Sequence, residues 1–190
     1  MATEIEVKFR VADPDALRRR LAAAGFHEET PRTFERNVLY DTPDRRLRGQ
    51  TAILRVRKYG EKWVVTFKCL PQNNDPAARH KRREETETQV KDGEAIGHIF
   101  TQLGYTNAFV YEKWRTEFAD ATGHCVLDET PIGVYAELEG PPEWIDATGH
   151  KLGIDHADFI TLSYGRLFEQ WKKDTASPAE NLTFDAIPKP

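Results

Sequence analysis

The stretch EIEVKF, residues 4–9, strictly alternates charged and apolar side chains. Successive side chains of a β-strand point to opposite faces, so Glu4, Glu6 and Lys8 share one face and the apolar residues share the other. Burying the apolar face alone would be enough to hold such a strand in a sheet. The pattern therefore predicts a sheet with one charged face, and the purpose of that face needs an explanation.

The overall composition limits that explanation. The chain has 190 residues, of which 39% are hydrophobic and 31% charged, and this length suits one domain with a sizeable core. A net charge of −4 argues against a sequence-independent nucleic-acid-binding protein, which needs a basic excess. No apolar run has the length of a membrane span, and the N-terminus lacks a signal-peptide pattern. We expect a cytoplasmic protein with neither a nucleic-acid nor a membrane partner.

Two helices are predicted in equivalent places along the chain. Residues 13–25 follow a helical pattern with Asp13 as N-cap, and residues 92–104 repeat that plan with Asp92 as N-cap. The residues of the second helix expected to point inward are Ile96, Ile99, Phe100 and Leu103. Each helix follows a strand with Glu-x-Glu and precedes three strand-like runs, which predicts two similar halves in one pseudo-twofold sheet.

The C-terminal part has a different character. Helices are predicted within residues 141–153 and 161–173, and the stripe formed by Tyr164, Leu167, Phe168 and Trp171 is interpreted as core. From residue 174 onward the chain is proline-rich and weakly patterned. We therefore expect a single domain over residues 1–173 and a tail over residues 174–190 that is either disordered or draped on the surface.

Alternating charges recur in six predicted strands. The acidic members are Glu4, Glu6, Glu85, Glu87, Asp128, Glu137 and Glu139, and the basic members are Lys8, Arg55, Arg57, Lys68, Arg83, Lys113 and Arg115. For any single pair, a solvated outer face is the ordinary interpretation, because exposed ion pairs are common and contribute little. Dense, matched sets favour a closed sheet with the charges inside. Since such a tunnel is costly to dehydrate, it indicates a ligand with many charges of its own.

The residue types indicate what that ligand is. Arginine forks match phosphate oxygens two at a time, and lysines supply point charges. Carboxylates repel phosphate, so a hard cation such as Mg²⁺ or Mn²⁺ must lie between them. The predicted ligand is a polyphosphate with its metal.

The sequence Glu4-Ile5-Glu6-Val7-Lys8 resembles the ExExK signature of the CYTH family, also called triphosphate tunnel metalloenzymes. Further motifs follow in the family's order, namely DTP at 41–43, LRVR at 54–57, TFK at 66–68, RxExE at 83–87, EKxR at 112–115, LD at 127–128, PxG at 131–133 and ExEG at 137–140. The resemblance covers residues 3 to about 170. It implies an α+β fold, a closed eight-stranded antiparallel tunnel with helices packed outside, and triphosphate substrates.

The charge pattern and the resemblance together assign predicted roles. The predicted metal ligands are Glu4, Glu6, Asp128, Glu137 and Glu139, with Glu85 and Glu87 as supporting acids. The predicted triphosphate-binding residues are Lys8, Arg55, Arg57, Lys68, Arg83, Lys113 and Arg115, and Lys8 is also the predicted catalytic residue. The expected cofactor is Mg²⁺ or Mn²⁺, and the expected partner is a small-molecule triphosphate. Whether the chain forms a homodimer is left open.

One position departs from the family's pattern. Many active members have a tyrosine two residues before the Asp of the DTP turn, where it pairs with the signature lysine, and this chain has Leu39 there. Tyr40 is expected to point to the opposite face. Three functions stay open, with the first preferred: a triphosphate hydrolase, a class IV adenylyl cyclase that makes cyclic AMP and pyrophosphate, and a non-catalytic polyphosphate or nucleotide binder. Neither a phosphate-loop motif nor a zinc-type histidine spacing favours another class.

Overall fold

The computed structural model describes residues 2–72, 75 and 78–187, and over these the chain forms eight strands and five α-helices. The strands are β1 (Ala2–Arg10), β2 (His27–Asp41), β3 (Ile53–Tyr59), β4 (Lys62–Cys69), β5 (Lys81–Val90), β6 (Thr106–Ala119), β7 (His124–Thr130) and β8 (Gly133–Glu139). The helices are α1 (Pro14–Ala23), α2 (Arg46–Gly49), α3 (Gly93–Gln102), α4 (Pro142–Lys151) and α5 (Tyr164–Thr175).

All eight strands join one closed barrel in the order β1-β5-β4-β3-β2-β6-β7-β8. Every neighbouring pair is antiparallel, which confirms the predicted α+β class and the closed antiparallel barrel. If the labels of β1–β4 are swapped with those of β5–β8, every strand keeps the same two neighbours around the barrel. The two similar halves of the sequence therefore correspond to a pseudo-twofold relation in the topology, and closure leaves no free sheet edge.

The register of β1 shows which side of the sheet is charged. Glu6 is paired with Lys81 of β5 and with Glu139 of β8. Directly paired residues project from the same face, so the charged face of β1 lies beside charged faces of both neighbours. On its other face, Val7 and Phe9 are 0% and 1% exposed. The barrel is therefore charged inside and apolar outside.

The largest core lies outside the barrel, beneath α1 and α4. Val7 and Leu138 of the barrel pack there with Leu17 of α1 and Ile145 of α4, and all four are buried. The predicted N-cap of α1 is confirmed, since the Asp13 carboxylate accepts a hydrogen bond from the N–H of Ala16 at 2.9 Å. Burial of these side chains fixes the charged faces inward, because a one-residue slip would reverse every side chain of a strand.

Helix α3 forms where predicted, but its apolar stripe is only partly buried. Ile99 is 50% exposed and Leu103 68%, so the expectation that they point inward is wrong, while the other two members of the stripe are half-buried. The face that meets the barrel contains Gly93 and Gly97, both buried. The Trp63 ring packs so tightly on Gly93 that a Cβ there would overlap it. These two glycines make the closest contact between α3 and the barrel. The long aliphatic side chains of the helix lie on other faces and are more exposed.

The start of α5 reaches the barrel interior, and Tyr164, Leu167 and Phe168 are buried as the core interpretation predicted. After α5 the chain crosses β6, where the N–H of Leu182 donates to the carbonyl of Val110 at 3.0 Å. Residues 188–190 of the predicted tail lie outside the described residues, and the domain division at residue 173 stays a prediction. No helix in the described part of the chain is long and apolar enough to cross a membrane.

Candidate active site: a charged tunnel

The barrel encloses a cavity of about 750 Å³, called the tunnel below. Its acidic lining residues are Glu4, Glu6, Glu29, Glu85, Glu87, Glu117, Glu137 and Glu139. Its basic lining residues are Lys8, Arg55, Arg57, Lys68, Lys81, Lys113 and Arg115. All of the predicted site residues except Asp128 and Arg83 are among them, so the structure brings most of the predicted set together.

Asp128 lies behind the tunnel wall in an inner network, which we define as Glu35, Lys113, Arg115, Asp128 and Tyr164. The Asp128 carboxylate is fully buried. It accepts hydrogen bonds from Arg115 Nε and Nη2 at 2.7 Å each, from Lys113 Nζ at 2.9 Å and from Tyr164 Oη at 2.6 Å. With both oxygens occupied in this way, Asp128 is placed to anchor the basic residues, and its predicted role as a metal ligand stays a prediction.

The second carboxylate of the inner network, Glu35, was missed by the sequence analysis. It is fully buried, and its oxygens lie 3.4 Å from Lys113 Nζ and 3.9 Å from guanidinium nitrogens of Arg57 and Arg115. Burial acts to raise the pKa of Glu35, but Lys113, Arg115 and Arg57 outweigh it and hold the pKa at about 2. The signal that could have found Glu35 is alternation along β2, which starts at His27 and places Glu35 on the same face as Leu39.

A different group of carboxylates faces the tunnel space. We define the outer acid group as Glu4, Glu6 and Glu139. Lys68 Nζ donates to both oxygens of Glu4 at 2.6 and 2.7 Å, and Lys81 donates to Glu6. Glu139 has no ion-pair partner within the described chain. Desolvation in the tunnel, together with the negative charge of Glu4 and Glu6, raises the pKa of Glu139 to about 7.

This outer acid group is the part of the tunnel that fits a divalent cation. Its three carboxylates supply the oxygen ligands that Mg²⁺ and Mn²⁺ prefer, and desolvation together with the charges of Glu4 and Glu6 raises the pKa of Glu139, which a cation bound there would lower. Within residues 2–72, 75 and 78–187, no group of three or more His, Cys, Asp or Glu is already arranged to hold a metal. Instead, the ammonium groups of Lys68 and Lys81 form ion pairs with Glu4 and Glu6. A cation would have to displace these ammonium groups.

The opposite part of the wall presents donors suited to phosphate. Arg55 Nη2 donates to Thr66 Oγ1 at 3.1 Å, and Arg57 Nη2 donates to Glu87 at 3.2 and 3.3 Å. The Nε atoms of both arginines are buried and make no hydrogen bond in the structure. Buried donors are rarely left unpaired, so the two guanidinium groups fit an anionic ligand such as phosphate.

The catalytic candidate Lys8 lies between an acid and an aromatic ring. Its Nζ pairs with Glu137 and stands 4.1 Å from the centre of the Tyr164 ring. Leu39 lines the tunnel as expected, whereas the Tyr40 hydroxyl lies against Gly97 of α3 outside the barrel. The aromatic neighbour of Lys8 thus comes from α5. Sequence analysis had assigned Tyr164 only to the core.

The family assignment follows from comparison with known proteins. The CYTH domain model matches residues 2–143, which include every predicted site residue. The chain belongs to the CYTH family. The CYTH assignment agrees with the barrel and with its charged interior.

Two solved structures and one curated protein are similar to this CYTH chain. A Methanocaldococcus jannaschii protein named "putative adenylate cyclase" is 26% identical over 137 residues, covering 72% of this chain and 75% of its own length. A Vibrio parahaemolyticus protein of the same description has a TM-score of 0.76 at 21% identity, covering 87% of this chain and 97% of that one. The Hippeastrum protein HpAC1, described as having a dominant triphosphatase activity, has a TM-score of 0.64 at 19% identity, with coverages of 88% and 96%. At these identities the two structures establish the fold alone.

Proposed function

We propose that this CYTH domain is a divalent-metal-dependent enzyme that hydrolyses triphosphates inside the tunnel. The observation that carries the proposal is the division of the wall into an outer acid group and an opposing basic part with two unpaired guanidinium Nε atoms. A cation alone would satisfy only the acids, and a polyphosphate alone would satisfy only the bases. A metal–triphosphate complex complements both.

The ion pairs of the tunnel suggest how such a complex is accommodated. Lys68 is bonded to Glu4, and Lys81 to Glu6. Glu4 and Glu6 would hold the cation once Lys68 and Lys81 release them, and the two freed lysines would then be available to phosphate oxygens. Because each half of this exchange would otherwise leave a charge unpaired in a partly desolvated site, metal and triphosphate are expected to bind cooperatively.

The chain's own residues then position the phosphates. Arg55 and Arg57 hold non-bridging oxygens through their free donors. Lys8, fixed by Glu137 and the face of Tyr164, places a positive charge where negative charge grows during phosphoryl transfer. A bound Mg²⁺ or Mn²⁺ would add charge neutralisation and lower the pKa of the attacking water.

Product analysis tests the proposal. The protein is incubated with Mg²⁺ or Mn²⁺ and either ATP or tripolyphosphate, and the products are separated by ion-exchange chromatography. We expect phosphate release to exceed cyclic AMP formation, as the description of HpAC1 also favours by analogy. Cyclic AMP and pyrophosphate as main products would establish the cyclase instead, and no product from either substrate would leave a binding function.

A thermal-shift measurement tests the exchange of ion pairs separately from turnover. Tripolyphosphate together with Mg²⁺ should raise the melting temperature strongly, whereas either component alone should change it little, because ligands stabilise a fold in proportion to their occupancy. Phosphate at matched ionic strength is the control for unspecific salt effects. An equal shift with tripolyphosphate alone would contradict the cooperative exchange.

A further inference from the structure

A second cavity of about 440 Å³ adjoins the tunnel, between the segment around α2 and the first half of α5. The two cavities share five lining residues, and the three with large side chains are apolar, namely Leu39, Ile53 and Phe109. A phosphate placed between these side chains would be desolvated without a compensating charge. The phosphates of a ligand in the tunnel are therefore expected to stop at this boundary, and an anion in the second cavity has to be a separate molecule.

The wall of the second cavity carries more positive than negative charge. Its charged lining residues are five cations and three acids, namely Arg45, Arg48, Arg83, Arg166 and Lys172 with Asp41, Glu169 and Glu180. Glu169 pairs with two of the arginines, and Asp41 accepts hydrogen bonds from three backbone N–H groups. Glu180 is exposed and makes no ion pair with a described residue. The wall thus has a surplus of two positive charges, which matches a dianion.

Three cations of this wall have no carboxylate of the described residues within ion-pair distance, namely Arg45, Arg83 and Lys172. Arg45 Nη1 donates to the carbonyl of Ala108, and Arg83 Nη1 donates to the carbonyl of Thr51, each at 3.3 Å. A carbonyl orients a guanidinium group but does not neutralise its charge. Arg83 was predicted to line the tunnel, whereas it lines this cavity, and its Nε is buried with no hydrogen bond. Buried donors are rarely left unpaired, so Arg83 fits an anionic ligand.

The backbone of the same wall is strained at two positions. Arg45 and Thr51 have φ angles of 59° and 55°, in the left-handed region that residues with a Cβ seldom adopt. The two residues flank α2, which Asp41 holds by accepting from the N–H groups of Leu47 and Arg48 at 2.8 and 2.9 Å. Such strain is concentrated at functional sites. Here the strained segment carries Arg45 and the carbonyl that holds Arg83, so the fold keeps both cations at the cavity.

We propose that the second cavity binds a small phosphate monoester as a second ligand, separate from the triphosphate in the tunnel. Its phosphate lies among Arg45, Arg83 and Lys172, and its substituent lies against Leu162 and Phe168, which add apolar surface to the wall. A phosphate monoester carries a charge of about −1.5 to −2 at pH 7, close to the surplus of the wall. The volume is in the usual range for small-molecule sites, which combine apolar walls with a few placed polar groups. A polyphosphate would carry more negative charge than this wall can neutralise.

Calorimetric titration with phenyl phosphate tests the proposal while the tunnel is filled. The protein is first saturated with Mg²⁺ and imidotriphosphate, a non-hydrolysable analogue of tripolyphosphate. We expect one phenyl phosphate per chain to bind under these conditions, about fivefold more tightly than orthophosphate, because the phenyl ring buries apolar surface against the wall. Loss of binding once the tunnel is filled would show that phenyl phosphate occupies the tunnel, and would overturn the proposal. Binding no tighter than that of orthophosphate would also overturn it, since the apolar wall would then have no role.

Matched arginine variants keep the test independent of the tunnel. Arg45→Gln and Arg83→Gln should each weaken the binding of phenyl phosphate about tenfold, because each removes one charge-assisted hydrogen-bond donor. Arg46→Gln is the control, since Arg46 is the exposed neighbour of Arg45 and lines neither cavity. Equal affinities in all three variants would indicate unspecific charge attraction and would overturn the proposal. If imidotriphosphate does not bind at all, the proposed function fails, while the ranking of these variants with phenyl phosphate still decides the second cavity.

Discussion

The inner network and the outer acid group contain the same kinds of residues in opposite states. In the inner network, Asp128 and Glu35 have no exposed surface and lie among the cationic groups of Lys113 and Arg115, which lower the pKa of Glu35 against the effect of its burial. In the outer acid group, Glu4 and Glu6 are each held by a lysine on a flexible stem, and the pKa of Glu139 is raised by desolvation and by the negative charges of Glu4 and Glu6. Both acids of the first group have cations within ion-pair distance, whereas Glu139 of the second group has none among the described residues.

This difference separates residues that build the tunnel from residues that are free to act in it. A fully desolvated carboxylate bonded to two or three cations is costly to disturb. It therefore orients Lys113 and Arg115 and contributes to stability. In the outer acid group, by contrast, a carboxylate that exchanges its lysine for a metal cation would have a compensating positive charge both before and after the exchange. Among the five predicted metal ligands, the geometry favours Glu4, Glu6 and Glu139 over Asp128, with Glu137 bonded to Lys8 and Arg115 between the two groups.

The largest expected effect is on stability, from Asp128→Asn. The substitution keeps the shape but removes one of the carboxylates around Lys113 and Arg115, so that Glu35 and Glu137 compensate their buried charge only in part. We expect a cost at the lower end of the range for a broken buried pair, about 3 kcal/mol, and a melting temperature lower by roughly 10 °C. Glu139→Gln is the control, and it should leave stability unchanged or slightly raised, because the Glu139 charge is unfavourable in the fold. Both are measured by thermal unfolding in a chelator. If Asp128→Asn lowers the melting temperature only when metal is added in place of the chelator, Asp128 is a metal ligand.

A somewhat smaller effect is expected in the pH dependence of stability. Glu35 has a pKa of about 2 in the fold, below its ordinary value of 4.5, so its contribution is fully present above pH 4.5 and is lost as the pH falls from 4.5 towards 2. The shift corresponds to about 3 kcal/mol. Denaturant unfolding between pH 7 and pH 3 should therefore show a shallower acid loss in Glu35→Gln than in the wild type. Parallel curves for the two proteins would show that Glu35 is not the group responsible.

Sequence alternation was sufficient to predict a charged inner face and most of the tunnel lining, because inward and outward residues must alternate once the apolar faces are buried. The eight-stranded closed barrel was implied by the resemblance to the CYTH family. It failed at places where alternation carries no information. By alternation along its strand Arg83 should point inward, yet it lines the cavity beside the tunnel and not the tunnel itself. Whether Asp128 faces the ligand or lies behind Arg115 depends on side-chain packing in three dimensions. Tyr164 belongs to a helix, and a helical stripe does not show that its first member enters a barrel.

Lys81 was missed for a related reason. Lys81 stands in the basic cluster RHKRR at residues 79–83, of which the sequence analysis selected only Arg83. In the structure β5 already begins at Lys81 and pairs it with Glu6. Dense charge is typical of exposed loops, and only the closed barrel shows that this lysine points inward. Its ion pair with Glu6 makes it one of the two groups that the proposed exchange requires.

The next prediction addresses that exchange directly. Glu4→Gln and Glu6→Gln each keep the shape of the side chain but remove one charge of the outer acid group, so kcat/KM with Mg²⁺ and triphosphate should fall about 100-fold, equivalent to about 2.7 kcal/mol. Stability should change little, since the released lysine remains hydrated at the tunnel space. Glu84→Gln, on the same barrel but outside the tunnel lining, serves as the control in metal titrations. A near-normal rate at saturating Mg²⁺ in both variants would exclude the metal role.

The smallest expected effect concerns Leu39, the position where the family often has a tyrosine. From sequence alone, Leu39→Tyr is predicted to increase turnover by giving Lys8 a phenolic partner. In the structure the ring of Tyr164 already lies 4.1 Å from Lys8 Nζ, and its hydroxyl donates to Asp128, so a second phenol adds little and the gain should stay below about threefold, less than 1 kcal/mol. The double variant Leu39→Tyr with Tyr164→Phe separates the contributions of the two phenol groups to turnover. If Tyr164→Phe alone lowers kcat about tenfold and Leu39→Tyr restores it, the two phenols are interchangeable. If Leu39→Tyr instead increases turnover tenfold with Tyr164 intact, then Lys8 lacks a catalytic partner in the wild type and the contact with Tyr164 only supports the fold.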